Sequence, residues 1–126
     1  MMKGKKALLG DAVDMNNDLL KRRLVKLWMN EENIVAVNNG FEALELARSQ
    51  LFDIIILGVR MVWMDGIQAS QEIKSYYRWS APKIIGTTSH QVEKVEAFDD
   101  LLENPTSVET FNEKILNVLN MPQVRS

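Results

Sequence analysis

The sequence predicts an α/β fold, a doubly wound five-stranded parallel sheet with helices on both faces, and three observations point there. The run Phe52-Asp53-Ile54-Ile55-Ile56-Leu57 is apolar at five of six positions and carries three β-branched isoleucines. Such a run reads as a central strand buried on both faces, as strands of parallel sheets are. Along the chain, short apolar runs alternate with amphipathic stretches, and right-handed crossovers turn that alternation into a sheet wound both ways from its centre. With 126 residues, no internal repeat and no linker, the chain reads as a single domain, residues 1–126, large enough for one good core.

In chain order, Lys6-Ala7-Leu8-Leu9-Gly10 is the first strand, and Asp11-Ala12 carries it into a loop. Asp14 or Asn16 can cap the helix that follows. Leu20, Leu24 and Leu27 form the inward stripe of that helix, while Lys21, Arg22, Arg23 and Lys26 give a basic outer side that reads as solvated. Leu19, Val25 and Trp28 widen the apolar surface beyond one stripe, enough for a contact surface. Asn30-Glu31-Glu32-Asn33 is a polar connection to the second strand, Ile34-Val35-Ala36-Val37, and Asn38-Asn39-Gly40 signals a turn. Residues 41–50 form the second helix, with Ala43, Leu44 and Ala47 inward.

The central strand ends at Gly58, and Met64-Asp65-Gly66 delivers the chain into a third helix, residues 66 to about 77, capped by Asp65 and facing in through Ile67, Ser70 and Ile73. After Pro82, Lys83-Ile84-Ile85-Gly86-Thr87-Thr88 is the fourth strand. Residues 89–98 are short and weakly patterned, at most two or three helical turns. Leu101-Leu102 sits in a brief fifth strand, and Asn104-Pro105-Thr106 breaks the chain. Val108, Phe111, Ile115, Val118 and Leu119 describe a closing amphipathic helix, and residues 121–126 read as a frayed tail. Trp79, beside Tyr76 and Tyr77, reads as cover for a helix end.

Charge and composition narrow the function. A net charge of −2 offers no global attraction to nucleic acid or an anionic membrane. There is no cysteine to make a thiol nucleophile, a thiolate metal site or a disulfide. No apolar run approaches the ~20 residues that cross a bilayer. The basic start, Met1-Met2-Lys3-Gly4-Lys5-Lys6, is followed only by Ala7-Leu8-Leu9, too little for a signal peptide. A cytoplasmic location is expected, with no direct nucleic-acid or membrane partner. Thr87, Thr88 and Ser89 near Asp11, with His90 the one histidine, are the nearest approach to a hydrolase set, and Ser/His/Asp catalysis needs a geometry that spacing does not supply. No glycine-rich phosphate loop supports a nucleotide or flavin.

The pattern Asp11…Met15-Asn16, Asn39-Gly40-Phe41-Glu42-Ala43-Leu44, Phe52-Asp53-Ile54-Ile55-Ile56-Leu57 and Met61…Met64-Asp65-Gly66, with Thr88 closing the fourth strand and Pro105 after the fifth, resembles the receiver domain of two-component response regulators over about residues 5–119. The resemblance implies the flavodoxin-like receiver fold and a chemistry of Mg²⁺-assisted phosphoryl transfer from histidine to aspartate. That chemistry uses an aspartate at the end of the third strand and two acids after the first, which hold the metal in oxygen coordination. A hydroxyl after the fourth strand and a lysine after the fifth hold the phosphoryl oxygens. Laid on this sequence, the nucleophile position is Gly58, the acidic pair is Asp11 and Ala12, the hydroxyl is Thr88 and the lysine position is Asn104. The aromatic switch position of the fifth strand falls on Leu101. The proline usual after the loop methionine is Val62, followed by Trp63. The segment between Thr88 and Asn104 is several residues shorter than usual, so the fourth helix, between the fourth and fifth strands, is expected to be shortened or absent.

Glycine has no oxygen to take a phosphoryl group, and one carboxylate with a few carbonyls is a poor Mg²⁺ site. The resemblance therefore implies a degenerate pseudo-receiver. It would be a phosphorylation-independent interaction and regulatory module in a phosphorelay, not an enzyme, with no cofactor and no metal. Its partners would be signalling proteins, namely a histidine kinase, a histidine phosphotransfer protein or an effector domain, and a homodimer is open as well. The alternatives are phosphorylation at a non-standard residue and small-molecule sensing in the vacated site. Asp11 either binds a cation weakly or is solvated or caps a nearby N–H. Asp53 stands at the far end of its strand, ~16 Å from the site, and Asp65 is accounted for as a cap. Met15, Leu19, Trp28 and Trp63 are the candidate partner contacts. Trp63 has three readings: folded over Gly58, exposed as an interface anchor, or packed within its own loop.

Overall fold

A computed structural model describes residues 2–89, 95–104 and 106–122. Five strands, β1 (Ala7–Gly10), β2 (Ile34–Val37), β3 (Ile54–Gly58), β4 (Lys83–Thr88) and β5 (Asp100–Glu103), pair in the order β2-β1-β3-β4-β5. Every pairing is parallel, with Gly10 opposite Leu57 and Gly58 opposite Thr87. Among the described residues four helices connect and cover them: α1 (Asp14–Lys26), α2 (Gly40–Ser49), α3 (Gly66–Tyr77) and α4 (Val108–Val118). Single 3₁₀ turns lie at Glu31–Asn33 and Arg78–Ser80. The expected doubly wound parallel sheet is the observed one.

Period-two alternation along β3 divides the core into two layers. Ile54 and Ile56 face one side, where Leu20, Leu24 and Leu27 of α1 and Phe111, Ile115 and Leu116 of α4 cover them. Ile55 and Leu57 face the other, under Ala43, Leu44 and Ala47 of α2 and Ala69 and Ile73 of α3. Both sets are buried, which is why the strand reads as a continuous apolar run rather than an alternating one. Met2 is fully buried in the first layer, so packing reaches beyond the span of the resemblance.

Several local expectations are corrected. Neither Asp14 nor Asn16 caps α1: the N-cap is Val13, which has no capping side chain, and its own N–H goes to Asp11 Oδ1. Asn39 is more than a turn residue, since its side chain caps α2 by accepting from Glu42 N–H at 2.8 Å. Ile67 packs against the second core layer though only half-buried, and Ala69 joins Ser70 and Ile73 on the inward face. Trp79 covers nothing at 95% exposure. Of the β4–β5 connection, Ser89 and residues 95–99 form bends and turns, and Phe98 packs into the second core layer. The remainder of the stretch where the fourth helix was expected to be shortened or absent, with His90, lies outside the described residues, as do Pro105 and residues 123–126 of the tail.

Candidate functional site

In an open parallel sheet, the carboxyl ends of the central strands form a crevice. Here the ends of β1, β3 and β4 bring Asp11, Gly58, Thr87 and Thr88 together, and Asn104 joins them by donating its N–H to Thr88 O at 2.7 Å. They line a cleft of about 460 Å³, with Arg60, Ser89, Ala12 and Leu19 at its margins. The five site positions inferred from the resemblance, Asp11, Ala12, Gly58, Thr88 and Asn104, are thus gathered in one place, with Ala12 exposed and carrying no oxygen on its side chain. Leu101, at the switch position, is half-buried on β5 and packs with the second core layer, under Gly86.

Asp11 is buried, at 7% exposure, rather than solvated. Its Oδ1 accepts from Val13 N–H at 2.8 Å and from Asn16 Nδ2 at 3.2 Å, and Asn16 Nδ2 also reaches Oδ2 at 3.3 Å. The N–H-capping reading of this carboxylate is therefore the one observed. Asn17 braces the loop from below, donating to Val37 O at 2.9 Å and Asp11 O at 3.4 Å. Sequence reasoning passed over Asn17, yet a signal was there. It lies at i, i+3, i+7 with Leu20 and Leu24, a polar residue on the inward stripe, where only a hydrogen-bonded amide is tolerated. Arg60 was also missed, and nothing in its local sequence marks it.

The donor set does not fit Mg²⁺. One carboxylate is present, already engaged by Val13 and Asn16, and among the described residues no second carboxylate lines the cleft, whereas Mg²⁺ asks for near-octahedral hard oxygens. Among the described residues no group of three or more His, Cys, Asp or Glu is placed to hold a metal ion.

Trp63 does not fold over Gly58 and does not pack within its loop: it is 85% exposed. Its φ is +68°, and Met64 N–H donates to Val62 O across it at 2.8 Å, a γ-turn of the strained, positive-φ kind. The loop around it is pinned. Val59 N–H donates to Thr87 O at 2.8 Å, Gly66 N–H to Val59 O at 3.0 Å, and Val62 bridges to Asn39. Met15 (75%) and Leu19 (41%) are exposed on the first turns of α1, at the cleft end. Trp28, though exposed, follows the last turn of α1, about 20 Å from Met15 along the helix axis, and does not share their patch.

Known proteins share the fold. The family model of the response regulator receiver domain matches residues 12–103. The transcriptional regulatory protein ZraR of Klebsiella oxytoca is 32% identical over 80 residues, 64% of this chain and 17% of that protein. The autoinducer 1 sensor kinase/phosphatase LuxN of Vibrio harveyi is 29% identical over 106 residues, 80% of this chain and 12% of that protein. The chain thus spans less than a fifth of the length of these relatives. Among solved structures, the receiver domain of the sensor histidine kinase PA1611 from Pseudomonas aeruginosa superposes with a TM-score of 0.83 at 21% identity, covering 94% of this chain and 99% of that one. CheY4 of Vibrio cholerae gives 0.79 at 22% identity, over 92% and 99%.

Proposed function

Because the chain belongs to the response regulator receiver domain family, a module of two-component signalling, we propose that it is a pseudo-receiver, a protein-binding regulatory module that works without being phosphorylated. One observation carries this reading: the residue at the carboxyl end of β3, lining the cleft, is Gly58, which offers no side-chain oxygen to a phosphoryl donor. The rest of the site agrees with it. Ala12 removes one acid, Asn104 stands where a cation would hold phosphoryl oxygens, and the remaining acid, Asp11, is buried and held by neutral donors. The hydrophobic layers that build the fold are complete by contrast, so what the domain retains is its surface.

Partner binding falls to exposed residues of the segments that follow β1 and β3: Met15 and the cleft-lining Leu19 on α1, and Trp63 on its pinned loop. The partner class is a histidine kinase, a histidine phosphotransfer protein or an effector domain. A sensor kinase and a transcriptional regulator among the relatives are consistent with either kind. No catalytic turnover is expected of the domain itself. Incubation with a small acyl phosphate and Mg²⁺, followed by intact mass, tests the reading. No gain in mass is expected, and a stoichiometric gain of one phosphoryl group, at whatever residue, overturns it.

A further inference from the structure

The four basic residues of α1 divide into two pairs. Lys21 meets Glu31 at 3.5 Å, and Arg23 lies over the Phe111 ring, 5.6 Å from its centroid. Arg22 and Lys26 are exposed, as are Asp14 and Asp18, and none of these four has an ion pair among the described residues. Standing four residues apart, Asp14, Asp18, Arg22 and Lys26 form one ridge along the outer face of the helix. Acids early and bases late also suit the helix dipole, but that effect fades beyond the first and last turns, and Asp18 and Arg22 lie between them. Asp and Arg four apart can also pair within one helix, yet Asp18 and Arg22 do not. Two acids and two bases are left in a row with no partner in their own chain.

The row is its own complement. Reversed about the level of Leu20, it sets Asp14 against Lys26 and Asp18 against Arg22, and the same reversal sets exposed Met15 against exposed Val25. We infer that a second copy of this chain packs on this face, α1 against α1, antiparallel about a two-fold axis at that level. A two-fold interface uses the same patch twice and so requires this self-complementarity. Ridges of four-residue spacing interdigitate when the helices cross at about 50°. Leu19, one residue from the centre, meets its own copy, and with Met15 and Val25 it supplies the apolar contact. Exposed ion pairs add little affinity; here they set direction, because a parallel pair would oppose like charges at every position of the row. One helix face falls short of the ~1,200–2,000 Å² that stable complexes bury, so the pair is a weak one. It covers Met15 and Leu19 and therefore competes with the partner proposed for them. It uses α1 alone, so it goes beyond the pseudo-receiver reading without resting on it.

Sedimentation velocity of the intact chain, from micromolar to millimolar protein, tests the pairing. A monomer–dimer equilibrium is expected, weaker at high salt. Asp18→Arg opposes arginine to arginine across the axis, and Arg22→Asp opposes aspartate to aspartate, so each variant alone should associate more weakly by about tenfold or more. Mixed in equal amounts, the two variants complement each other at both positions, and the mixture should regain the association of the original chain. The chain carrying both substitutions should regain it as well, since its row is again self-complementary. Both positions are exposed, so each variant should melt as the original chain does, and recovery in the mixture is something a misfolded variant could not give. A monomer at every concentration overturns the pairing, as does a dimer that the single reversals leave intact or a mixture that stays monomeric. A phosphoryl gain in the mass experiment overturns the pseudo-receiver reading alone, because α1 pairs without the cleft.

Discussion

A Cβ on Gly66 would lie 2.1 Å from Gly58 O, and one on Gly40 would lie 1.9 Å from Met64 O. Backbone sits in those spaces, so neither clash can be relieved by turning a side chain. Gly66→Ala and Gly40→Ala should each cost about 3 kcal/mol, seen as a Tm drop on the order of 10 °C. Gly58→Ala should hold Tm within about 2 °C, since its contacts are ordinary ones. The glycine at the end of the third strand, Gly58, was legible in the sequence. The clamp was not: Gly40 reads as a turn former and Gly66 as the start of a helix, and their close approaches exist only once distant segments meet. Trp63 is a parallel case, because a tryptophan in a sequence does not announce φ of +68°. Holding it there costs about 1–3 kcal/mol, and exposure returns nothing to the fold. Trp63→Gly should therefore leave Tm unchanged or raise it, and a fall of more than about 3 °C would show that the indole supports the loop.

Helices α2 and α3 are tied by Tyr77, whose hydroxyl donates to Ala47 O and, at 3.3 Å, to Gln50 O at the end of α2. Burial, and secondarily the neighbouring Tyr76, raises its pKa above the ordinary tyrosine value near 10. The raised value means that the folded state holds the phenolic proton more tightly than the unfolded chain does. Its contribution is complete below about pH 10 and is lost as pH climbs from there through the raised value. Thermal melts across that window should show Tm falling more steeply for the original chain than for Tyr77→Phe, which has no proton to lose; parallel slopes would deny the tie. At this scale the sequence was a good guide. Helix and strand positions follow from apolar spacing, and the β2 and β4 bounds coincide with the expected ones. What escaped was capping. The first helix had two plausible cap residues, and the tertiary fold spent the nearest carboxylate, Asp11, on Val13 N–H instead. Likewise Phe98 rests where a Cβ on Gly86 would stand, 2.7 Å away, a pairing that no local pattern records.

At the scale of the molecule, two apolar layers fix the sheet, and the sheet fixes where its strands end, whatever residues stand there. The family fold is therefore legible from the hydrophobic pattern whatever residues stand at the strand ends, and positions such as Asp11, Thr88 and Asn104 converge because their strands do. The same separation makes the site open to reconstruction. Gly58→Asp has room for its Cβ and would set a second carboxylate against Asp11, whose Oδ2 lies 3.5 Å from that Cβ. Two like charges in a shared, buried cleft repel, so the variant should melt below the original chain at neutral pH in the absence of divalent cations. Mg²⁺ is the natural remedy for such a pair. Millimolar Mg²⁺ should raise the Tm of Gly58→Asp, by linkage to binding at the folded site, while leaving the original chain unmoved at matched ionic strength. With Ala12 and Asn104 still in place, the variant should gain far less than one phosphoryl group from a small acyl phosphate. Stoichiometric phosphorylation of Gly58→Asp would mean that a single missing carboxylate is all that separates this domain from a working receiver.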